Sequence, residues 1–199
     1  MSSHEELRMI ALAEFARAGY AGTSLQKVAE LTGLSKSSVL YHFASKEALL
    51  EAAVGPAIDR MGQILGTIEG SPIGLDRRNE FVTDFVDFLL AHRLEVSIFL
   101  NQGPSLVDVP VVDRANELVE RLAEYFCAYT PTVEGQLRFG IALGGAAYIL
   151  GGAPGADRNS ELPAAELRAA LITILSELLA AVPVEAAAAS TSPAASEAL

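Results

Sequence analysis

The amino-acid sequence predicts an all-α protein, with a three-helix N-terminal head and a larger helical body, about nine helices in all. Apolar residues recur at helical spacing in almost every segment of the 199-residue chain. No segment alternates apolar and polar residues as a half-buried strand does. Hydrophobic residues make up 51% of the chain, which is enough for a core and excludes a wholly disordered chain.

Charge is distributed unevenly along the chain. The formal net charge is −11, yet residues 1–50 contain five basic and five acidic residues and sum to zero. The rest contains nine basic and twenty acidic residues. A neutral head that contains all three lysines is compatible with DNA binding. The acidic residues of the remainder either form a solvated surface or attract a cationic ligand.

Scarce reactive residues argue against an enzyme. Cys127 is the single cysteine, which excludes an internal disulfide and a multi-cysteine zinc site. The sequence has no glycine-rich phosphate loop, no His-x-x-x-His pair and no nucleophile elbow. Cys127 lies in an apolar helix and is expected to be core rather than nucleophile. We therefore expect no catalytic residues, no bound metal and no cofactor.

Start and stop signals divide the first fifty residues into short helices. Gly19 ends the first helix, and Thr23 opens a capping-box pattern with a glutamine three residues later. Gly33 ends the second helix. Ser35 caps a third, which runs to about residue 43, and Ser45 caps a fourth.

The body is predicted to be helical as well. The helix that starts after Ser45 extends towards Ile68, with a kink at Gly55-Pro56. Further long helices are expected near residues 75–101, 111–129, 132–152 and 163–182. We place a helix-turn-helix domain at residues 1–50, a ligand-binding and dimerisation domain at 51–182, and a disordered tail at 183–199, which is rich in Ala, Ser and Pro.

Residues 139–156 are uncharged over a length that approaches the threshold for a membrane-spanning helix. They contain six glycines, and Pro154 leaves a helix of roughly 22 Å, short of the ~30 Å hydrocarbon core. A buried helix is the better interpretation, and we expect no membrane partner. The polar start of the chain lacks a signal segment, so we expect a cytoplasmic protein.

Residues 23–43 have the spacing of a helix-turn-helix, with two helices of about eight residues joined by a turn that contains Gly33. In the second helix Val39 and Phe43 are predicted to face inward, and the outward positions are small or polar. Such a surface lets a helix enter the major groove and contact phosphates and base edges. Spacing alone also fits capped helices with an ordinary solvated face.

Further motifs occur in order between Ala11 and Leu50. They are Phe15-x-x-x-Gly19-Tyr20, Thr23-Ser24-Leu25, Val28-Ala29, Gly33-Leu34-Ser35, Tyr41-His42-Phe43 and Ser45-Lys46-Glu47-x-Leu49. With them, residues 7–54 resemble the DNA-binding domain of tetracycline-repressor (TetR) family regulators. Two positions depart from the family pattern: Leu40 replaces a frequent aromatic residue, and Ser37 replaces the usual glycine.

The resemblance implies a role for each matching residue. Thr23 and Lys46 resemble residues that anchor the DNA backbone, and Lys27 is placed to neutralise a phosphate. The expected groove-facing set is Ser35, Lys36, Ser37, Ser38, Tyr41 and His42. His42 alone also fits a packed histidine at a helix end.

A single short recognition helix binds weakly, so we expect a homodimer on a palindromic double-stranded DNA operator. Small residues recur on one side of helix 132–152, and an apolar stripe follows the last helix. Together they predict a four-helix interface, as the resemblance also implies. Its residues are Gly140, Gly144, Ala147, Gly151, Leu167, Leu171, Ile174 and Leu178. The alternative is burial of both stripes within one monomer.

An aromatic stripe on helix 75–101 predicts a pocket for an unknown small-molecule effector. Its residues, with an opposite wall from the next long helix, are Phe81, Phe85, Phe88, His92, Glu95, Phe99, Tyr125 and Phe126. His92 and Glu95 are three residues apart and are placed to pair. An ordinary aromatic core with a satisfied His–Glu pair explains the stripe equally well, and the family's habit of binding small molecules favours the pocket.

These observations predict a ligand-responsive transcriptional regulator, and more specifically a repressor. A ligand that prefers a state with a different spacing of the two recognition helices would lower the affinity for DNA. Two alternatives remain open, a regulator that answers to a protein partner and an all-α enzyme.

Overall fold

The computed structural model describes residues 3–70, 74–102, 106, 109–130, 132–152 and 162–180. In these residues the fold is all-α, as predicted, with α1 (Ser3–Ala18), α2 (Leu25–Thr32), α3 (Lys36–His42), α4 (Lys46–Ile68), α5 (Leu75–Ala91), α6 (Arg93–Asn101), α7 (Pro110–Tyr129), α8 (133–152) and α9 (Ala164–Ala180). The tail predicted at residues 183–199 lies outside the described residues.

Serine side chains start the three helices that follow α1. Ser24, Ser35 and Ser45 each accept a hydrogen bond of 3.1 Å from the backbone amide three residues further on. The capping box predicted at Thr23 is wrong by one residue, because Ser24 is the N-cap of α2. Gly33 ends α2 in the left-handed conformation, with φ of 68°, which a glycine adopts without steric cost.

The helix predicted over residues 75–101 is two helices separated at His92. The His92 amide donates to the Phe88 carbonyl at the end of α5, and the His92 carbonyl accepts from Val96 at the start of α6. Its backbone, at φ −121° and ψ 36°, departs from the helical region. No glycine or proline marks the break. It follows from packing, because α5 contacts α4 and α9, whereas α6 contacts α1 and the end of α8.

Helix α8 contains two stretches of π-helix, which the expected regular helix did not include. Its segments are Val133–Phe139, the π-helix Gly140–Gly144, Gly145–Ala147 and the π-helix Tyr148–Gly152. The second π-helix packs closely on α6, where a Cβ atom added to Gly151 would lie 2.7 Å from Val96 Cγ1 and 3.1 Å from the Ser97 nitrogen. Glycine at this position therefore allows the two backbones to approach.

Two clusters of buried apolar side chains form the core. The head cluster joins Phe15 of α1 and Val39 of α3 to Ile98 of α6. The body cluster packs α4, α5, α7, α8 and α9 around residues such as Phe81 and Phe139. Helix α4 belongs to both clusters and continues through Pro56 without a break. The predicted domain boundary at residue 50 therefore lies inside α4 and stays a prediction.

The close contact between α8 and α6 predicts opposite effects for alanine at two glycines. We expect Gly151→Ala to destabilise the fold by about 1–3 kcal/mol, because the new methyl group overlaps Val96. Gly140→Ala is the matched control, since its Cβ meets nothing within 4 Å, and it should stabilise by up to about 1 kcal/mol. Urea unfolding followed by circular dichroism measures both. Equal effects of the two substitutions would refute this account of the contact.

Candidate functional site

Helix α3 has a buried apolar side and an exposed polar side. Val39 is fully buried in the head cluster, and Phe43 follows it into the same cluster. Ser37 is exposed on the other side, and the Tyr41 side chain projects into solvent with 87% of its surface accessible. The structure thus places the predicted groove-facing residues at the surface of a short helix that packs on α2.

Two predicted groove residues also stabilise the start of α3. The Ser35 hydroxyl accepts from the Ser38 amide and lies 2.8 Å from the Ser38 hydroxyl. Ser38 is half-buried, whereas Ser35, Lys36 and Ser37 are exposed. A change at Ser38 therefore disturbs the helix cap as well as the surface, and Ser37 is the cleaner position for testing recognition.

Lys46 is held in place by an aromatic ring. Its Nζ atom lies 4.1 Å from the centre of the Tyr20 ring, at cation–π distance. Burial lowers the pKa of Lys46, an effect that the nearby Glu47 carboxylate opposes. The Tyr20 hydroxyl donates to Glu47 at 2.9 Å, and burial together with Glu47 raises the pKa of Tyr20 to about 12. Lys27 and Lys36 are exposed.

The structure does not place Thr23 at this surface. Thr23 is only 2% exposed, and its hydroxyl donates to the Gly19 carbonyl at 2.8 Å. Its proposed contact with the DNA backbone is therefore wrong for this conformation, because the side chain closes the turn between α1 and α2. His42 is half-buried, and its ring centre lies 6.1 Å from that of His4 in an edge-on arrangement. Both interpretations of His42, as a groove contact and as a packed histidine at a helix end, therefore stay open.

A cavity of about 460 Å³ lies in the body between α4, α5, α6, α7 and α8. Five of the predicted pocket residues line it, namely Phe85, Phe88, Glu95, Phe99 and Phe126. Phe81 and Tyr125 are instead buried in the body cluster, so their assignment to the pocket is wrong. His92 does not line the cavity either, but its Nδ1 atom pairs with Glu95 Oε1 at 3.2 Å.

Sequence reasoning missed the walls that α4 and α8 contribute and, apart from Phe126, the wall that α7 contributes. The missed residues include Ile58, Met61, Leu118, Leu122, Cys127, Gln136, Phe139 and Leu143. The available signal for the α8 wall was the set of small residues that the sequence analysis assigned to the dimer interface. Gly140, Gly144 and Ala147 line the cavity, and both glycines are exposed, as Asn116 and Cys127 of α7 are. The mouth of the cavity therefore lies between α7 and α8.

Other residues predicted for the dimer interface lie inside the protomer. Leu167 and Leu171 are buried in the body cluster, and Leu178 packs against it. Gly151 is buried against α6. Leu167, Leu171 and Gly151 are therefore wrong as interface residues, because helical periodicity identifies one side of a helix without showing what covers that side. Leu178 is half-buried, and its place in the interface stays a prediction. Ile174 remains half-exposed.

A different side of α8 exposes large apolar residues. Val133 is 73% exposed and Ile141 is 63% exposed. We call the following group the α8–α9 apolar face: Val133, Leu137, Ile141 and Tyr148 of α8, with Ile174 of α9. The two helices contact each other. Large exposed apolar groups on neighbouring helices are typical of a protein interface.

Helix α6 connects the cavity to the head. Glu95, Val96 and Phe99 line the cavity. At the other end of the same helix, the Gln102 side-chain amide donates to the Phe15 carbonyl at 2.8 Å and accepts from the Tyr20 amide at 2.6 Å. Phe15 lies in the last turn of α1, and Tyr20 lies in the segment that follows the helix. The sequence held no local signal for this link, because its partners are more than eighty residues away.

Among the described residues, no helix is both long and apolar enough to cross a bilayer. No group of three or more His, Cys, Asp or Glu side chains among them is arranged to hold a metal ion.

The fold and the head define a class, namely an all-α protein with a helix-turn-helix at its N-terminus. Residues 10–53 match the family model described as "Bacterial regulatory proteins, tetR family". The chain is 47% identical to the HTH-type transcriptional regulator RutR of Escherichia coli over 49 residues, which is 25% of this chain and 23% of RutR. It is 24% identical to the negative transcriptional regulator IcaR of Staphylococcus aureus over 115 residues, 57% of this chain and 62% of IcaR.

The whole fold is similar to that of a solved regulator. The ketosteroid transcriptional regulator KstR2 of Mycobacterium tuberculosis superposes with a TM-score of 0.71 at 18% identity, over 92% of this chain and 96% of that one. The matched segments span less than two thirds of the lengths of these two curated relatives. Residues 10–53 therefore match the DNA-binding domain of the TetR family, and the whole chain is similar in fold to a solved transcriptional regulator.

Proposed function

We propose that this chain is a sequence-specific DNA-binding transcriptional repressor that a small molecule releases from its operator. The observation that carries the proposal is the exposed polar side of α3, with Ser37 and Tyr41 outward and Val39 in the core. A side of this kind fits the major groove, where hydroxyls and lysines contact phosphates and base edges. The similarity to IcaR, a negative regulator, supports repression rather than activation.

The direct experiment is a gel-shift assay with DNA from around the gene that encodes the protein. Titration with salt separates specific from non-specific binding, because phosphate contacts weaken steeply as salt rises. A specific complex that survives excess competitor DNA supports the proposal. Absence of a specific shift at every salt concentration would contradict it.

The next prediction separates phosphate contacts from sequence recognition. Lys36→Ala should weaken binding to all DNA about equally and reduce the salt slope by about one, because one phosphate contact is lost. Ser37→Ala should instead change which operator variants are preferred. Lys36 is cleaner than Lys46, which also packs on Tyr20. Arg60→Ala on the exposed part of α4 is the charge-matched control. Fluorescence anisotropy against an operator library measures affinity and preference.

We also propose that the α8–α9 apolar face forms a two-fold dimer interface. Two recognition helices on a dimer would read half-sites about 34–36 Å apart, which is how a short helix such as α3 gains affinity. Val133, Leu137 and Ile141 recur every fourth residue and so share one side of α8. Contact with the same face of a second copy would remove these side chains from water.

This interface predicts a change of oligomeric state. Ile141→Glu should convert a dimer to a monomer at micromolar concentration, because a carboxylate would be buried without a partner. Operator affinity should fall with it. Leu94→Glu is the control, since it adds the same charge at an exposed leucine on α6. Analytical ultracentrifugation gives the mass, and a wild-type protein that is already monomeric would contradict the interface.

We propose further that α6 transmits ligand binding to the head. The supporting contacts are those of Glu95 and Phe99 with the cavity and those of Gln102 with the last turn of α1 and the segment after it. A ligand that shifts α6 displaces the carbonyl and amide groups that Gln102 holds. Ile98, fully buried in the head cluster, moves with the same helix. The orientation of the recognition helix then changes, and the fraction of molecules in the changed state is set by the ligand's differential affinity for the two states.

Gln102→Ala is expected to uncouple the two sites. It removes two hydrogen bonds to the head at a cost of about 1–3 kcal/mol in stability, and leaves the cavity intact. A compound that raises the melting temperature of the wild type should still bind this variant but release less DNA. Asn101→Ala is the matched control, because Asn101 bonds within α6 and to Gly151. Undiminished release by the Gln102 variant would refute the route.

A further inference from the structure

The cavity contains one charged side chain among the described residues that line it. Glu95 is 8% exposed, and the remaining walls are aliphatic, aromatic or uncharged polar. No lysine, arginine or histidine lines the described part of the cavity. An isolated carboxylate in such surroundings is costly unless it is paired.

The pairing visible in the structure satisfies only part of the carboxylate. His92 Nδ1 lies 3.2 Å from Glu95 Oε1, and an ionised carboxylate has about four acceptor positions on its two oxygens. Glu95 also lies in the first turn of α6, where the helix dipole favours a negative charge. The residue is therefore placed to accept further hydrogen bonds from a molecule in the cavity.

We propose that the effector is a predominantly apolar molecule with a protonated amine, whose ammonium group pairs with Glu95. The apolar body would lie among Phe85, Phe88 and Phe99, which line the same cavity, and aromatic faces also attract a cation. This inference rests on the proposed function, because it takes the cavity as the effector site. The acidic body, which contains the whole net charge of −11, favours approach of a cation as well.

Two other ligand classes fit the cavity less well. An anionic ligand would bring its carboxylate to Glu95 without a basic partner in the described lining, and like charges in a low-dielectric cavity repel strongly. A neutral ligand would fill the apolar walls but would cover the carboxylate with no opposite charge. The chemistry of Glu95 therefore selects the amine over an acid or alcohol of the same shape.

The test uses three probes with one apolar body: 4-hexylbenzylamine, 4-hexylbenzyl alcohol and 4-hexylbenzoate. Isothermal titration calorimetry with the full chain at neutral pH should give the amine about tenfold or more lower Kd than either analogue, as charged hydrogen bonds imply. Glu95→Gln should remove this preference while leaving the affinity for the alcohol unchanged. Circular dichroism confirms that the variant is folded.

Two further variants keep the test decisive. Glu120→Gln removes one negative charge from an exposed position on α7 and should retain the preference for the amine. Gly144→Leu adds a side chain at the mouth of the cavity, where a Cβ meets nothing within 4 Å, and should weaken all three probes.

Four results would overturn the inference. They are equal or tighter binding of the alcohol or the benzoate, a preference that survives Glu95→Gln, probe binding that Gly144→Leu does not affect, and no binding of any probe. Operator release measured in parallel separates this inference from the proposed function. An amine that binds through Glu95 without releasing DNA would refute ligand-gated repression and leave the assignment of the ligand class standing.

Discussion

Helix α6 packs against the head cluster on one side and against the cavity on another. The relative placement of the head and the cavity depends on this double packing. One side of this helix contributes Ile98 to the head cluster, and another contributes Val96 and Phe99 to the cavity wall. Its approach to α8 is limited by Gly151, where any side chain would overlap Val96. Because folded interiors are close-packed, α6 cannot shift on one side without changing its contacts on the other. This packing supports the proposed route from the cavity to the head.

Features set by neighbouring residues could be predicted from the sequence. Gly33 and the caps at Ser35 and Ser45 lie where expected, because a cap or a left-handed turn is decided within about four residues. The error at Thr23 arose from two adjacent hydroxyl residues. Either can cap a helix, but the Thr23 hydroxyl donates to the Gly19 carbonyl, which leaves Ser24 as the cap.

Features set by distant residues could not be predicted. The break at His92 has no local signal, since it reflects the different neighbours of α5 and α6. The small residues of α8 recur regularly, yet Gly140 lines the cavity while Gly151 packs on α6. Periodicity gives the direction of a side chain, whereas its partner depends on how the helices are arranged. The same limit explains why Phe85 lines the cavity and Phe81, one turn earlier, is buried in the core.

The bare backbone at Gly140 and Gly144 has a consequence for the evolution of this protein. Both positions lie at the cavity mouth, and an added methyl group would touch no neighbouring atom at either one. Single nucleotide changes that create alanine or valine there would alter the size of molecule admitted, while the surrounding core keeps its packing. Under the proposed function, a descendant could acquire a new chemical signal through one such mutation while the exposed side of α3 stays unchanged.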